Sequence, residues 1–316
     1  MLKKFIRDHK IHKSIASISF FDYLFLYKPI YILGPIAMVL VGMYLASFAT
    51  AELALGVTDF NIQTSMFISG LSLIMSCIFI KNEILSFNDT TNRFCFIEKN
   101  IIGEKVDIHM ASRIHDFSLA IGLLLILLSS WINLFIIAAI YFLWIYSIDN
   151  SADISKKISL FTGVSFLLIL SGWFYSNGLF NIPMQLILFI ILSLPYIFLF
   201  VATILLIDFP KERVSSILSL ILIIAGFFIA YYNNDPLAST SLSVSLPFYI
   251  FLVLRRSERD LIRAIRYPMF LLIFFLFTIY PLSMIPVTII YYFSKYYYWH
   301  RFDKHFPALA INDDYN

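Results

Sequence analysis

Long apolar runs alternate with short polar ones along nearly the whole chain. Nine apolar segments can be traced: Ile30–Thr50, Asn61–Ile80, Phe117–Ser130, Ile132–Ile148, Ile158–Ser176, Pro183–Ile207, Val214–Tyr232, Leu237–Leu254 and Met269–Phe293. Most approach the roughly 20 residues that a helix needs to cross a hydrocarbon core. The third and fourth are almost continuous, with Ser129, Ser130 and Asn133 as the only turn signal between them. The pattern predicts an all-α polytopic membrane protein: a basic leader over 1–29, nine transmembrane helices over 30–293 and a polar tail over 294–316.

Composition narrows the class. The 316 residues are 60% hydrophobic and 14% charged, against about 25% charged in soluble domains, and mean hydropathy is +0.84. A water-soluble fold could not hide so much apolar surface. The net charge of +3 is too small to argue for nucleic acid. Cys77 and Cys95 form no motif. The leader MLKKFIRDHKIHK lacks the apolar core of a signal peptide. Two readings of it stand: a surface helix with Phe5, Ile6, Ile15, Ile18 and Phe21 on its apolar side, or a basic stretch that holds the N-terminus in the cytoplasm.

The basic residues give orientation. All fall in the leader up to Lys28, in 81–116, 149–157, 208–213 and 255–266, or in the tail from Lys295. The intervening loops 51–60, 177–182 and 233–241 and the turn at Ser130 hold none. Alternating basic loops fit nine spans under the positive-inside rule. The expectation is a multi-pass protein of the cytoplasmic membrane, N-terminus inside and C-terminus outside.

Candidate chemistry collects on the inner side. Lys81–Arg93, KNEILSFNDTTNR, follows directly on an apolar segment and carries Asn82, Glu83, Ser86, Asn88, Asp89, Thr90, Asn92 and Arg93. Polar groups delivered by a membrane helix are costly unless they have partners or a task. On a helix Glu83, Ser86 and Thr90 share a face. Asp208 and Glu212 are four apart, so helical geometry aligns them too; the plainer reading is a charge cluster at a helix start. Tyr146-Ser147 precedes Lys156-Lys157, which read singly as an interface anchor and topology charges. Lys28 precedes Pro29 at the first apolar segment. Together, carboxylates and carbonyl oxygens suit Mg²⁺, lysines and arginines suit phosphate, and the apolar bundle suits a lipid tail.

This arrangement resembles the UbiA superfamily of membrane prenyltransferases, over most of the chain from Asp22 to about Phe293. The family's first motif, N-D-x-x-D-x-x-x-D, aligns with Asn82-Glu83-Ile-Leu-Ser86-Phe-Asn-Asp-Thr90, with Asn92-Arg93 following. Tyr146-Ser147 with Lys156-Lys157 looks like the family's Tyr-Ser…Lys segment. Asp208–Glu212 falls at the second acidic motif, either as D-x-x-x-D or as the start of D-x-P-D with Lys211 in place of the next Asp. Ser86 and Thr90 stand where the family has carboxylates; Asn88 and Asp89 replace them only if the helix shifts register.

The resemblance implies a nine-helix bundle that transfers an isoprenyl group from an isoprenyl diphosphate to a hydrophobic acceptor, aromatic or lipid. It assigns Asn82, Glu83, Asp208 and Glu212 to Mg²⁺. Lys28, Arg93, Ser147 and Lys157 would hold the diphosphate, with Tyr146 and Lys156 at the reacting end. The alternative is a UbiA-like protein without catalysis that binds a lipid or a partner, which the missing carboxylates favour. A transporter is a third reading, against which the charges at helix ends and the lack of a repeat count. His109 and His115, six apart, lie on different helix faces and offer no zinc pair. RRSERDLIRAIR, Arg255–Arg266, reads as a loop facing anionic lipid, or else as part of a substrate site.

Overall fold

The computed structural model describes residues 19–49, 61–88, 101–104, 106–149, 154–180, 183–210 and 212–302. Among these, twelve helices follow one another: α1 (Ser19–Leu26), α2 (Leu33–Ala49), α3 (Ile62–Asn88), α4 (Ile101–Glu104), α5 (Ile108–Ser129), α6 (Trp131–Asp149), α7 (Ile154–Asn177), α8 (Pro183–Asp208), α9 (Arg213–Tyr232), α10 (Pro236–Arg255), α11 (Glu258–Ile279) and α12 (Met284–Phe302). A 3₁₀ turn, Pro281–Ser283, separates the last two. Seven helices, α3, α5 and α7 to α11, are long and apolar enough to cross a membrane. α2 and the Trp131–Ser147 stretch of α6 are apolar but shorter. The outward faces carry exposed Leu124, Phe135, Phe142, Ile221 and Phe228, which only a lipid environment suits. The protein is an all-α, multi-pass membrane protein.

α2 and α8 form the middle of the bundle and carry much of the buried core. α2 crosses α7 at close range because both helices have glycine at the contact. A Cβ at Gly42 would sit 2.0 Å from the Ile169 carbonyl oxygen, and one at Gly172 2.0 Å from that of Val39. Small residues let backbones approach in this way where lipid offers no hydrophobic drive for helix association.

Local signals set most boundaries. α3 runs on to Asn88, so the first part of the polar stretch is helical. Asp107 caps α5 by accepting from the His109 N–H at 3.1 Å, so that helix begins nine residues before Phe117. The break between α5 and α6 falls at Ser130, which is extended and accepts from Asn133 Nδ2 at 3.1 Å.

Three features depart from the sequence expectation. α1, within the stretch assigned to the leader, is packed into the bundle, with Phe25 and Leu26 fully buried; Phe5, Ile6, Ile15 and Ile18, with the rest of residues 1–18, lie outside the described residues. The basic stretch after α10 is helical rather than a loop. Ser257 caps α11 by accepting from the Asp260 N–H at 3.1 Å, so Arg259, Arg263 and Arg266 sit on its first turns. Finally, Met269–Phe293 is not one span. Pro281 has no N–H to continue α11, and α12 starts afresh.

α12 then runs back along the bundle. The Tyr297 hydroxyl donates to Asp22 Oδ1 at 2.7 Å, and its ring stacks on Phe25 with centroids 3.8 Å apart. Residues 22 and 297 therefore share one end of the molecule, where nine passes would have placed them at opposite ends. This end also holds Lys28 and is called the charged end below.

Candidate functional site

The chain turns between α1 and α2, and Lys28 sits in that turn with a φ of 48°. A non-glycine residue adopts this left-handed conformation at some cost, and only where its surroundings fix it. The fixing contact is an ion pair: Lys28 Nζ meets Glu83 Oε2 of α3, and both side chains are within 1% of full burial. The other Glu83 oxygen accepts from the backbone N–H of Ile102 at 3.0 Å. One carboxylate thus ties the turn between α1 and α2, α3 and α4 together. Burial pulls the Lys28 ammonium below its ordinary range, and the Glu83 carboxylate acts in the opposite sense.

A second pair links α7 to α8. Lys157, near the start of α7, donates to Oδ2 of Asp208, the last residue of α8, at 2.9 Å. Its ammonium lies 5.7 Å from the Phe161 ring centroid. A chain of rings joins the two pairs: Tyr31 to Phe79 at 5.9 Å, Phe79 to Trp144 at 5.9 Å and Trp144 to Phe161 at 5.8 Å.

Tyr31, Phe79 and Trp144 also form one wall of a cavity of about 390 Å³. Ile30 and Ile207, close neighbours of Lys28 and Asp208 in sequence, line it as well, while the four paired residues themselves do not. Ile204 of α8, Met269 and Ile273 of α11 and Val287 of α12 close the other sides. The volume lies in the range typical of small-molecule pockets, about 300–1,000 Å³. The lining is apolar and aromatic except for Thr203 of α8 and Arg263 and Arg266, the last two on the charged-end turns of α11.

The residues singled out from the sequence do not all come together. Lys28, Glu83, Lys157 and Asp208 come together as the two pairs. Asn82 and Ser147 are buried nearby in the chain. Asn82 is 4% exposed, and its Oδ1 has no hydrogen-bond partner among the described residues. Ser147 donates to the Trp144 carbonyl one turn back at 2.6 Å. Tyr146 (58% exposed), Lys156 and Glu212 point away from the interior, and none lines the cavity. Glu212 is the N-cap residue of α9 but makes no side-chain cap bond. Arg93, with Asp89, Thr90 and Asn92, lies outside the described residues; Ser86 and Asn88 are in the last turn of α3.

The two carboxylates do not fit a divalent-cation centre. A hard cation needs several oxygens converging on one point. Here each carboxylate faces an ammonium, and no group of three or more His, Cys, Asp or Glu gathers among the described residues. Each pair is close to neutral as it stands. His115 is also engaged at both ring nitrogens, with Asp116 Oδ1 at 2.8 Å and the Tyr141 hydroxyl at 3.0 Å.

Two cavity residues, Arg263 and Arg266, belong to the stretch that the sequence offers either as a loop facing anionic lipid or as part of a substrate site. The signal for their true setting is Ser257-Glu-Arg-Asp260, a Ser-x-x-acid cap. It starts a helix ahead of the basic residues, on which Ile262, Ile265, Arg266, Met269 and Ile273 recur at helical spacing. Comparison of the sequence with models of known protein families matched none, and comparison with curated proteins found no match.

Proposed function

We propose that the protein is an intramembrane lipid-binding protein built on a UbiA-like bundle. In this reading α2, α3 and α5 to α11 stand for the family's nine spans, α12 is an addition, and the charged end faces the cytoplasm. Its return places Tyr297 on the same side as α1. The observation that carries the reading is the apolar, aromatic cavity, whose lining includes Ile30 and Ile207, near neighbours in sequence of Lys28 and Asp208 in the two Lys–carboxylate pairs. A single hydrocarbon or isoprenyl chain suits the cavity. The lysines occupy the carboxylates that the family would give to Mg²⁺, so the bound lipid is held without that metal.

The test is chain binding by the intact protein in phosphatidylcholine nanodiscs, with geranylgeraniol as probe. Binding should be saturable, and Ile273→Trp, which fills the cavity, should abolish it. Equal binding by the variant would remove the cavity as the site.

A prenyltransferase is the second reading, favoured by the unpartnered Asn82 oxygen next to Glu83. It requires both carboxylates to exchange their lysines for metal on binding an isoprenyl diphosphate. Incubation with Mg²⁺, labelled geranylgeranyl diphosphate and aromatic or lipid acceptors should then release pyrophosphate. Silence across acceptors leaves the binding protein.

A further inference from the structure

On its α12 side the cavity is walled by a helix that is exposed on its other face. Val287 and Tyr291, four apart on α12, line the cavity. Ile285, Ile289 and Tyr292 are exposed and fall on the opposite face, as the helical period dictates. α12 is held very differently from α11. α11 buries a residue on nearly every turn, from Leu261 through Ile265, Pro268 and Leu272 to Leu276. From Met284 to Tyr292, α12 buries none.

The two ends of α12 differ as well. The end of α11 is anchored: Tyr280 is buried, and its hydroxyl donates to the Leu40 carbonyl of α2 at 3.4 Å. Just beyond, Pro281 and Leu282 are exposed, and the chain makes a single 3₁₀ turn before α12 begins. Pro281 and Pro286 carry no N–H, so neither donates a backbone hydrogen bond across this joint. Hinge motion is absorbed at element-terminal positions of this kind. At the charged end α12 is latched to α1 through side chains. The Tyr297 hydroxyl donates to Asp22 Oδ1, its ring stacks on Phe25, and Phe293 meets Phe21 edge-on with centroids 5.3 Å apart.

We infer that α12 is a lateral gate: it pivots at Tyr280–Ser283, and release of Tyr297 from α1 opens the cavity sideways to the bilayer, the route by which a chain enters and leaves. The inference rests on the reading of the cavity as a chain-binding site and adds the path to it. A hydrocarbon chain dissolved in the bilayer reaches this wall without leaving lipid, whereas entry from the charged end would draw it through polar surroundings. The latch is local, so it parts while the rest of the bundle stays packed. A gate changes the rates of entry and exit together and leaves affinity unaltered, because the open state is a path and not a tighter or weaker site.

The experiment follows exit. The full chain in phosphatidylcholine nanodiscs is loaded with labelled geranylgeraniol and chased with excess empty phosphatidylcholine vesicles, and the label left on the protein is read with time. Phe21→Cys with Phe293→Cys, in a Cys95→Ser background with Cys77 buried, allows the latch to be closed after loading by a short bis-methanethiosulfonate linker. The linked protein should keep its label through the chase and lose it on reduction; loading of the reduced protein also shows that the variant is folded. Tyr297→Phe keeps the ring and removes the hydrogen bond to Asp22. Entry and exit should both quicken by about 10-fold, the equivalent of one such bond to a charged group, with equilibrium affinity unchanged. Equal loss of label from linked and reduced protein would overturn the gate and leave the cavity reading intact, the chain then using another route. Faster exit from Tyr297→Phe with entry unchanged, and affinity weaker to match, would also overturn it, since α12 would then be a wall of the site and not its door. Failure of the unaltered protein to retain any label would overturn the cavity reading itself.

Discussion

At the charged end, Glu83 and Asp208 are each met by a lysine. At the opposite end Asp235 is as deeply buried, yet the partners recorded for it are all neutral. Its Oδ1 accepts from the Tyr44 hydroxyl at 3.0 Å and from the N–H groups of Leu237 and Ala238 at 3.1 and 3.2 Å. Its Oδ2 accepts from the Tyr196 hydroxyl at 2.8 Å. Asp235 thereby caps α10 and fastens α2 and α8 to its N-terminus, where the helix dipole also favours an anion. Its donors are fixed by backbone and ring geometry, so the contact is a fastening. The lysines of the other end are long, flexible point charges. They neutralise carboxylates, and residues close to them in the chain line a cavity. One end is built to hold its shape, and the other keeps charge on long, flexible side chains.

The largest test of that contrast removes one partner of a pair. Lys28→Met should leave Glu83 charged and buried, a loss of about 3–5 kcal/mol for a broken buried pair. Lys28→Met combined with Glu83→Leu removes both charges and should recover most of the loss, because a buried pair is often no better than an apolar replacement. Thermal unfolding in detergent, read for the two single variants and the double, measures the recovery. A double variant as unstable as the worse single one would show that Glu83 is held chiefly by something other than Lys28, such as the Ile102 N–H.

A smaller effect belongs to the opposite end. Tyr196→Phe removes one donor to a charged acceptor, worth about 1.5–3 kcal/mol. Tyr44→Phe should cost less, because Oδ1 keeps two backbone donors. Neither variant should alter chain binding at the charged end. Unfolding midpoints and probe affinities on the same preparations check both statements. Weakened binding in Tyr196→Phe would mean that the fastening and the cavity are coupled through α8.

How much of this was legible follows from the distances along the chain. The all-α membrane architecture is written in the apolar runs, and the Ser130 break in a two-serine signal. The residue types of the charged end were legible as well, since polar groups at the end of an apolar helix stand out at Asn82, Glu83 and Asp208. Their pairing was not. Lys28 and Glu83 are 55 positions apart, and nothing local says that the lysine, rather than a metal, answers the carboxylate. Apolar content alone does not place the last spans, because caps and a proline set their bounds. Pro281 interrupts Met269–Phe293, and the Ser257 cap starts α11 ahead of its arginines. Asp235 sits among Asn233, Asn234 and Pro236, a stretch that reads as an ordinary turn, and its phenolic partners come from helices 39 and 191 positions away.

The smallest effect is one of pH and separates Asp235 from the charged end. Burial raises the Asp235 carboxyl above its ordinary value, and the hydrogen bonds from Tyr196, the α10 N–H groups and Tyr44 only partly offset this. The folded protein therefore takes up this proton at a higher pH than the unfolded chain does. Between the ordinary carboxylate value of 3.8 and the raised one, the folded state binds more protons, and stability rises as pH falls. The contribution is complete below the ordinary value and is lost as pH climbs through the raised one. Asp235→Asn cannot titrate and should lack the increment. The unfolding midpoint of the unaltered protein, minus that of Asp235→Asn, should thus grow as the buffer is taken from neutral toward about pH 4. A difference that shrinks on acidification would mean that the four donors outweigh burial and that Asp235 stays ionised. The fastening would then itself be an electrostatic device, and the contrast between the two ends would lie only in the charge of the donors.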